Sequence, residues 1–313
     1  AISFTFPVTF TIMSLAIGLG IGASAVVGKC LGSAELERAK EAATVINYIS
    51  FGLAVITVGI CWFFMEGLFG LMGASEALML PIREYMDVWF LGSVLVVCIM
   101  TGNSVLRATG DTKTPSIIMA AAGLINAILD PLLIVYFDMG MAGAAWATTI
   151  GYVASAGFTV WFFVTGRSEM EFSCKYLKLR ADIVKEIFSI GGVTLARQGM
   201  ISVLSVVLNN TLYGYGGEMS LAVYGIINRL MFFANFPVLG VVQGFLPIAG
   251  FNYGAKKFGR VREVVLKSIG WGTAISFIIF ACILFFAEEL SAIFTNEQEM
   301  VDQTAPALIA VFI

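Results

Sequence analysis

Eight long apolar stretches, and the opening of a ninth, decide what this chain can become. They fall at 3–27, 44–65, 88–106, 115–137, 141–165, 184–213, 220–250 and 267–287, with another beginning near 304. A helix of about 20 residues crosses the roughly 30 Å of bilayer hydrocarbon. In lipid each backbone N–H and C=O must be satisfied within the protein, which leaves helices as the solution for single segments. The expected fold class is therefore an all-α integral membrane protein. Composition agrees: 59% of the 313 residues are hydrophobic and 12% charged, with a mean hydropathy of +0.92, against about 45–50% and 25% in soluble domains.

Charge is informative by location. Fifteen of the 18 Lys and Arg fall in alternate connections: Lys29, Arg38 and Lys40; Arg107 and Lys113; Arg167, Lys175, Lys178, Arg180 and Lys185; Lys256, Lys257, Arg260, Arg262 and Lys267. The intervening connections hold Arg83 beside acidic residues. By the positive-inside rule the basic loops face the cytoplasm and the chain starts on the extracellular side of the cell membrane. Arg197 and Arg229 lie within spans. A net charge of −3 without a basic stripe gives no footprint for nucleic acid. With no histidine and no CxxC among five cysteines, mixed Cys/His zinc sites are excluded. No cleavable signal peptide is expected at Ala1, which opens directly into an apolar run.

The chain repeats itself. Gly18, Gly22, Gly28 and Gly32 recur as Gly240, Gly244, Gly250 and Gly254, each shifted by 222, and Arg38 then falls on Arg260. Both copies of the Gly-rich helix end in a basic loop, so the halves share one orientation and are related by an axis along the membrane normal. The register predicts two parallel six-helix repeats around a central cavity. By the same register the chain lacks about one N-terminal and three C-terminal helices, and begins mid-protein.

Four stretches resemble the MATE family, the multidrug and toxic compound extrusion transporters. They are Gly28–Gly32 (GKCLG), Asn103–Pro115 (NSVLRATGDTKTP), Asn126–Ile134 (NAILDPLLI) with Gly140–Thr149 (GMAGAAWATT), and Gln243–Lys256 (QGFLPIAGFNYGAK). The resemblance implies an N-lobe at 1–165 (helices 2–6), a cytoplasmic linker at 166–183 and a partial C-lobe at 184–313. It departs at Gly191–Ser202, which has no carboxylate where some members carry a glutamate, and this argues against a C-lobe cation site.

Asn126 and Asp130 are four apart on one helix face, and Asp130 reads as the only carboxylate well inside a span. A carboxylate kept in hydrocarbon marks a functional site by default. It can take up a proton, or its oxygens, with Asn126 and a hydroxyl such as Thr148, can hold Na⁺, a hard cation that prefers oxygen ligands. The resemblance implies the same trio, and Tyr85 is placed to join it. The alternative is structural, with Asp130 helping to satisfy carbonyls freed at Pro131. Gln243, Asn209, Asn210 and Asn228 are the polar groups able to line a cavity, together with Arg197. Arg197 and Arg229 are expected to pair with neighbouring carboxylates, and Asn103, Arg107, Gly110 and Asp111 to form a polar turn.

The function implied is a Na⁺- or H⁺-coupled antiporter that exports amphipathic, often cationic drugs or metabolites by alternating access, with no cofactor beyond Na⁺ as a possible coupling ion. Its partners are the small organic substrate, the coupling ion and membrane lipid. Two alternatives remain. A lipid-linked saccharide flippase of the related superfamily needs more intramembrane cations, and a membrane-embedded enzyme needs a general base that the chain does not offer.

Overall fold

The computed structural model describes residues 2–71, 76–165, 176, 180–295 and 297–312, and every long element is a helix. They are α1 (Ile2–Gly32), α2 (Leu36–Phe63), α3 (Met65–Leu71), α4 (Glu76–Ala108), α5 (Lys113–Pro131), α6 (Gly140–Val164), α7 (Ala181–Gly254), α8 (Phe258–Phe285), α9 (Ala287–Ala292) and α10 (Gln298–Phe312). Most of the expected linker at 166–183 lies outside the described residues, and of Asn210 only the backbone is described.

Among the described residues, seven helical segments are long and apolar enough to cross a membrane: Pro7–Gly32, Leu36–Phe63, Leu78–Ala108, Lys113–Tyr136, Gly140–Val164, Met219–Gly254 and Phe258–Phe285. Large apolar side chains such as Phe63, Val135, Val164 and Phe285 stand more than three-quarters exposed, a surface that only lipid or further protein can cover. The stretch at 184–213 is helical but is not among the seven. It runs on within α7 to a break at Gly217, whose φ of 60° and ψ of −149° only glycine adopts readily.

The structure corrects one expectation here. α4 begins twelve residues before the apolar run at 88–106, so its span takes in Arg83, Glu84 and Asp87, and Asp130 is not the only carboxylate within a span. Arg83 lies 3.4 Å from Glu66 and 4.0 Å from Asp87, while Asp87 Oδ1 is buried without a hydrogen-bond partner among the described residues.

The helices form two compact units, one of Ala1–Gly199 with Leu246–Phe258 and one of Met200–Phe245 with Gly259–Ile313. In the first, α4 packs against α1, α2 and α6, and α5 lies on α6. Its core has one cluster around Leu19, Ile46, Leu106 and Ile187 and another around Ile12, Phe69, Met86 and Phe90. In the second, Val223, Ile226, Ile227 and Leu230 of α7 pack with Ile283, Ala305 and Leu308.

Within the first unit Gly18 and Gly22 of α1 meet the start of α7, at Gly191 and Ile187, and Gly28 and Gly32 meet its end. A Cβ on Gly32 would overlap the Phe251 carbonyl, and one on Gly254 would overlap that of Lys29. Shifting Gly32 and Lys29 by 222 gives Gly254 and Phe251, so the two contacts are one contact seen from both repeats. The helices cross backbone to backbone, as small residues allow where no aqueous hydrophobic effect holds helices together. Ion pairs surround the crossing. Lys29 Nζ lies 2.5 Å from Glu186, Arg38 Nη2 3.0 Å from Asp182, and Arg180 3.6 Å from Glu41.

Candidate functional site

Asn126 and Asp130 sit one turn apart on α5, and their side chains meet Thr148 of α6. With the carboxamide nitrogen facing the carboxylate, Asn126 Nδ2 donates to Asp130 Oδ2 at 3.2 Å and its oxygen accepts from Thr148 Oγ1 at 3.2 Å. The amide oxygen also accepts the Thr148 N–H at 3.2 Å, so both ends of the amide are satisfied in this orientation, whereas the opposite one would set its oxygen against the carboxylate, acceptor against acceptor.

Local backbone chemistry places the group. Pro131 has no N–H, so the helix loses a hydrogen bond one turn back. The next five residues, Leu132–Tyr136, form a π-helical turn closed by Phe137 N–H to Leu132 O and Met139 N–H to Leu133 O, both at 3.0 Å. Such turns are rare and concentrate at functional sites. α5 and α6 come close because Gly151 has no side chain, and a Cβ there would lie 3.1 Å from the Ala122 carbonyl. Tyr85 of α4 is near enough to Asp130 for its charge to act on the phenol, and Tyr152 of α6 is in electrostatic reach of Tyr85. The structure thus brings Asp130, Asn126 and Thr148 into contact, with Tyr85 in electrostatic reach of Asp130 and not hydrogen-bonded to the group.

A cavity of about 310 Å³ opens beside them between α1, α4, α5 and α6, lined by Asn126, Thr148, Tyr152, Asn103, Ser155 and methionines 13, 100 and 119 among others. Small-molecule sites begin at roughly this volume. Asn103 is 1% exposed with neither carboxamide atom partnered among the described residues, and the Ser155 hydroxyl is likewise buried and unpartnered among them. Buried polar atoms are nearly always bonded, so these face the cavity as hydrogen-bonding groups still to be satisfied. Asn103 is thereby separated from the polar turn to which sequence reasoning assigned it. The turn itself is real: Gly110 takes a φ of +92° to end α4, Arg107 donates to Ser104 Oγ at 2.8 Å, and Asp111 Oδ1 accepts the Thr114 N–H at 2.9 Å.

Tyr152 and Ser155 escaped the sequence reading, and Asn103 was named there only as part of the turn. The one available signal was the spacing of Thr148, Tyr152, Ser155 and Thr159 along one face of α6. Arg197, at the end of the first unit, and Arg229, in the second, are exposed, and neither makes an ion pair among the described residues, contrary to expectation. Asn209, Asn228 and Gln243 belong to the second unit, the first two exposed and Gln243 half-buried.

The MatE family model matches residues 1–132 and 195–313. The chain belongs to the MatE family. It is 30% identical over 309 residues to the FAD transporter of Shewanella oneidensis, covering 96% of this chain and 68% of that protein. To the multidrug export protein MepA of Staphylococcus aureus it is 28% identical over 303 residues, covering 96% and 66%. Among solved structures, MATE in the straight conformation superposes with a TM-score of 0.93 at 28% identity, covering 98% of this chain and 69% of that one. An outward-facing multidrug resistance MATE family transporter of the MOP superfamily superposes at 0.94 with 25% identity, covering 99% and 70%. The chain thus spans about two thirds of the length of these relatives. Membership makes it an all-α, multi-pass membrane protein of a transporter family.

Proposed function

We propose that this MatE-family chain acts as a cation-coupled antiporter that exports amphipathic organic compounds, with residues 1–165 as N-lobe, 184–313 as C-lobe and the basic loops in the cytoplasm. The observation that carries the reading is the Asp130–Asn126–Thr148 group at the wall of a cavity of about 310 Å³. The ionised carboxylate accepts from the Asn126 amide, whose oxygen turns toward Thr148. Those oxygens suit a monovalent hard cation such as Na⁺, which wants oxygen ligands and needs only one negative charge here. A proton does the same work by another route, neutralising the carboxylate to which the Asn126 amide donates. Either ion alters the α5–α6 contact, and an ion that binds one facing of the protein more tightly biases the equilibrium between facings.

Asn103, Ser155 and Tyr152 offer donors and acceptors to polar groups of the substrate, while the methionines adapt to its apolar parts. MepA is named a multidrug export protein, which supports a range of organic substrates.

A second reading concerns substrate charge. Arg197 and Arg229 are exposed and unpaired among the described residues, and one relative is named an FAD transporter, which favours an anionic compound. Efflux measured in cells that express the full-length protein separates the readings. Export of ethidium or norfloxacin supports the cationic substrate, and export of FAD the anionic one. Loss of either export in Asp130→Asn assigns coupling to that carboxylate, and undiminished export by the variant removes it from the mechanism.

A further inference from the structure

The internal repeat acts as its own control for a charged surface. The turns at 34–41 and 256–263 are structural equivalents, shifted by 222. Ala34 and Lys256 both take positive φ, 61° and 56°. Glu35 N–H bonds Cys30 O at 2.9 Å, and Lys257 N–H bonds Asn252 O at 2.9 Å, the same pair of positions in each copy. The backbone is therefore alike in both, and the side chains differ.

In the first copy Glu35, Glu37 and Glu41 face Arg38 and Lys40, a net charge of −1. Its cations are engaged: Arg38 contacts Asp182 at 3.0 Å and Glu35 at 3.6 Å, and Lys40 lies over the Tyr176 ring at 5.5 Å. In the second copy Lys256, Lys257, Arg260 and Arg262 face Glu263 alone, a net charge of +3. All four cations are exposed, and none makes an ion pair among the described residues. Arg260 is near enough to Glu263 for its charge to be felt, but that carboxylate is held by Lys267 at 2.7 Å.

The four cations lie within seven consecutive residues, Lys256 and Lys257 between the spans Met219–Gly254 and Phe258–Phe285 and Arg260 and Arg262 in the first two turns of the latter, so the bilayer holds them at one interface. Exposed Phe251, Tyr253 and Phe258 mark the same level, the last two with rings 5.7 Å apart, as aromatic residues do at the headgroup layer. A cluster of unpaired Lys and Arg at the ends of spans attracts anionic lipid. We propose that the turn at 256–262 binds the phosphate headgroups of anionic phospholipid, a role the equivalent turn at 34–41 has given up to ion pairing within the protein.

The proposal rests on the membrane-spanning reading and not on the coupling site. Native mass spectrometry of the purified full-length protein, with equimolar dioleoyl phosphatidylglycerol and dioleoyl phosphatidylcholine, tests it. Wild type is expected to retain the phosphatidylglycerol preferentially, with the preference falling as salt rises. Each Lys or Arg replaced by Gln is expected to weaken retention roughly fivefold, whereas Arg38→Gln leaves it unchanged. Arg260→Lys with Arg262→Lys, which keeps the charge, is expected to keep the preference. If a variant with Lys256, Lys257, Arg260 and Arg262 all replaced by Gln does not fold, Arg260→Gln and Arg262→Gln decide singly. Equal retention of both lipids by wild type overturns the proposal and leaves the patch to an acidic protein partner, and so does an undiminished preference in the Gln variants.

Discussion

The glycine crossing predicts opposite signs for substitutions that look alike. In a helix interior, glycine to alanine is ordinarily stabilising by about 1 kcal/mol. At Gly22 the new Cβ would lie 2.5 Å from the Ile187 carbonyl oxygen and 2.9 Å from its Cγ2. Reaching an ordinary contact of ~3.4 Å requires α1 and α7 to separate by roughly 0.9 Å, and gaps of that size forfeit a quarter to a half of the dispersion energy of the atoms involved. Overpacking of this kind costs about 1–3 kcal/mol, which outweighs the propensity gain. At Gly28 the nearest atom, the Pro247 carbonyl oxygen, is already at 3.4 Å, and at Gly52 nothing lies within 4 Å. Gly22→Ala is therefore destabilising and Gly52→Ala stabilising, with Gly28→Ala near neutral. Gly32→Ala and Gly254→Ala belong with Gly22→Ala, and combining those two costs less than their sum, because one separation relieves both clashes. Thermal unfolding of the purified protein in detergent reads the series, at roughly 2–4 °C per kcal/mol. A Gly22→Ala midpoint equal to or above that of Gly28→Ala would refute the close crossing.

Further expectations follow from single groups. Asn103→Leu removes two unpartnered polar atoms while filling the same space, so it raises the thermal midpoint, equivalent to about 1–3 kcal/mol, and weakens substrate binding; a lowered midpoint would mean that Asn103 has a partner. Desolvation pushes the Asp182 carboxyl up, but the Arg180 hydrogen bond and charge, the Ile183 N–H and Arg38 together hold it below the usual carboxylate range. A depressed native pKa stabilises above the ordinary value of about 3.9 and is lost as pH falls through the lower one, so wild type loses stability more steeply than Asp182→Asn in acid unfolding below about pH 4. A cysteine placed at Lys257 in a cysteine-free background is expected to react with an impermeant maleimide only from the cytoplasmic side, and labelling of intact cells would invert the topology.

The sequence disclosed the helical class because lipid leaves few alternatives, and it disclosed the repeat because the glycines at 18, 22, 28 and 32 return in register. That Gly28 and Gly32 meet the copy of their own segment, at Pro247, Gly250 and Phe251, was not legible, since a repeat fixes correspondence and not contact. Asp130 and Asn126 stood out through a charge in an apolar run and a spacing of four. Thr148 was singled out only as one suitable hydroxyl, and the resemblance supplied the rest. Ser155 and Asn103 were hidden because hydroxyls and amides in helices commonly bond their own backbone, as Thr159 does to the Ser155 carbonyl at 2.8 Å, and sequence does not tell which of them instead face a cavity. Asp87 was missed because α4 outruns its apolar stretch, and the break at Gly217 because four glycines crowd 214–225 without marking which one carries the unusual dihedrals.

The central claim is that Asp130 couples ion movement to transport, and gradient-driven uptake into proteoliposomes of the full-length protein tests it most directly. With a transported substrate fixed, an imposed Na⁺ or H⁺ gradient is predicted to drive accumulation by wild type, whereas Asp130→Asn still binds substrate but accumulates none above equilibrium under either gradient. Accumulation by Asp130→Asn at the wild-type level, responding to the same gradient, would contradict the account.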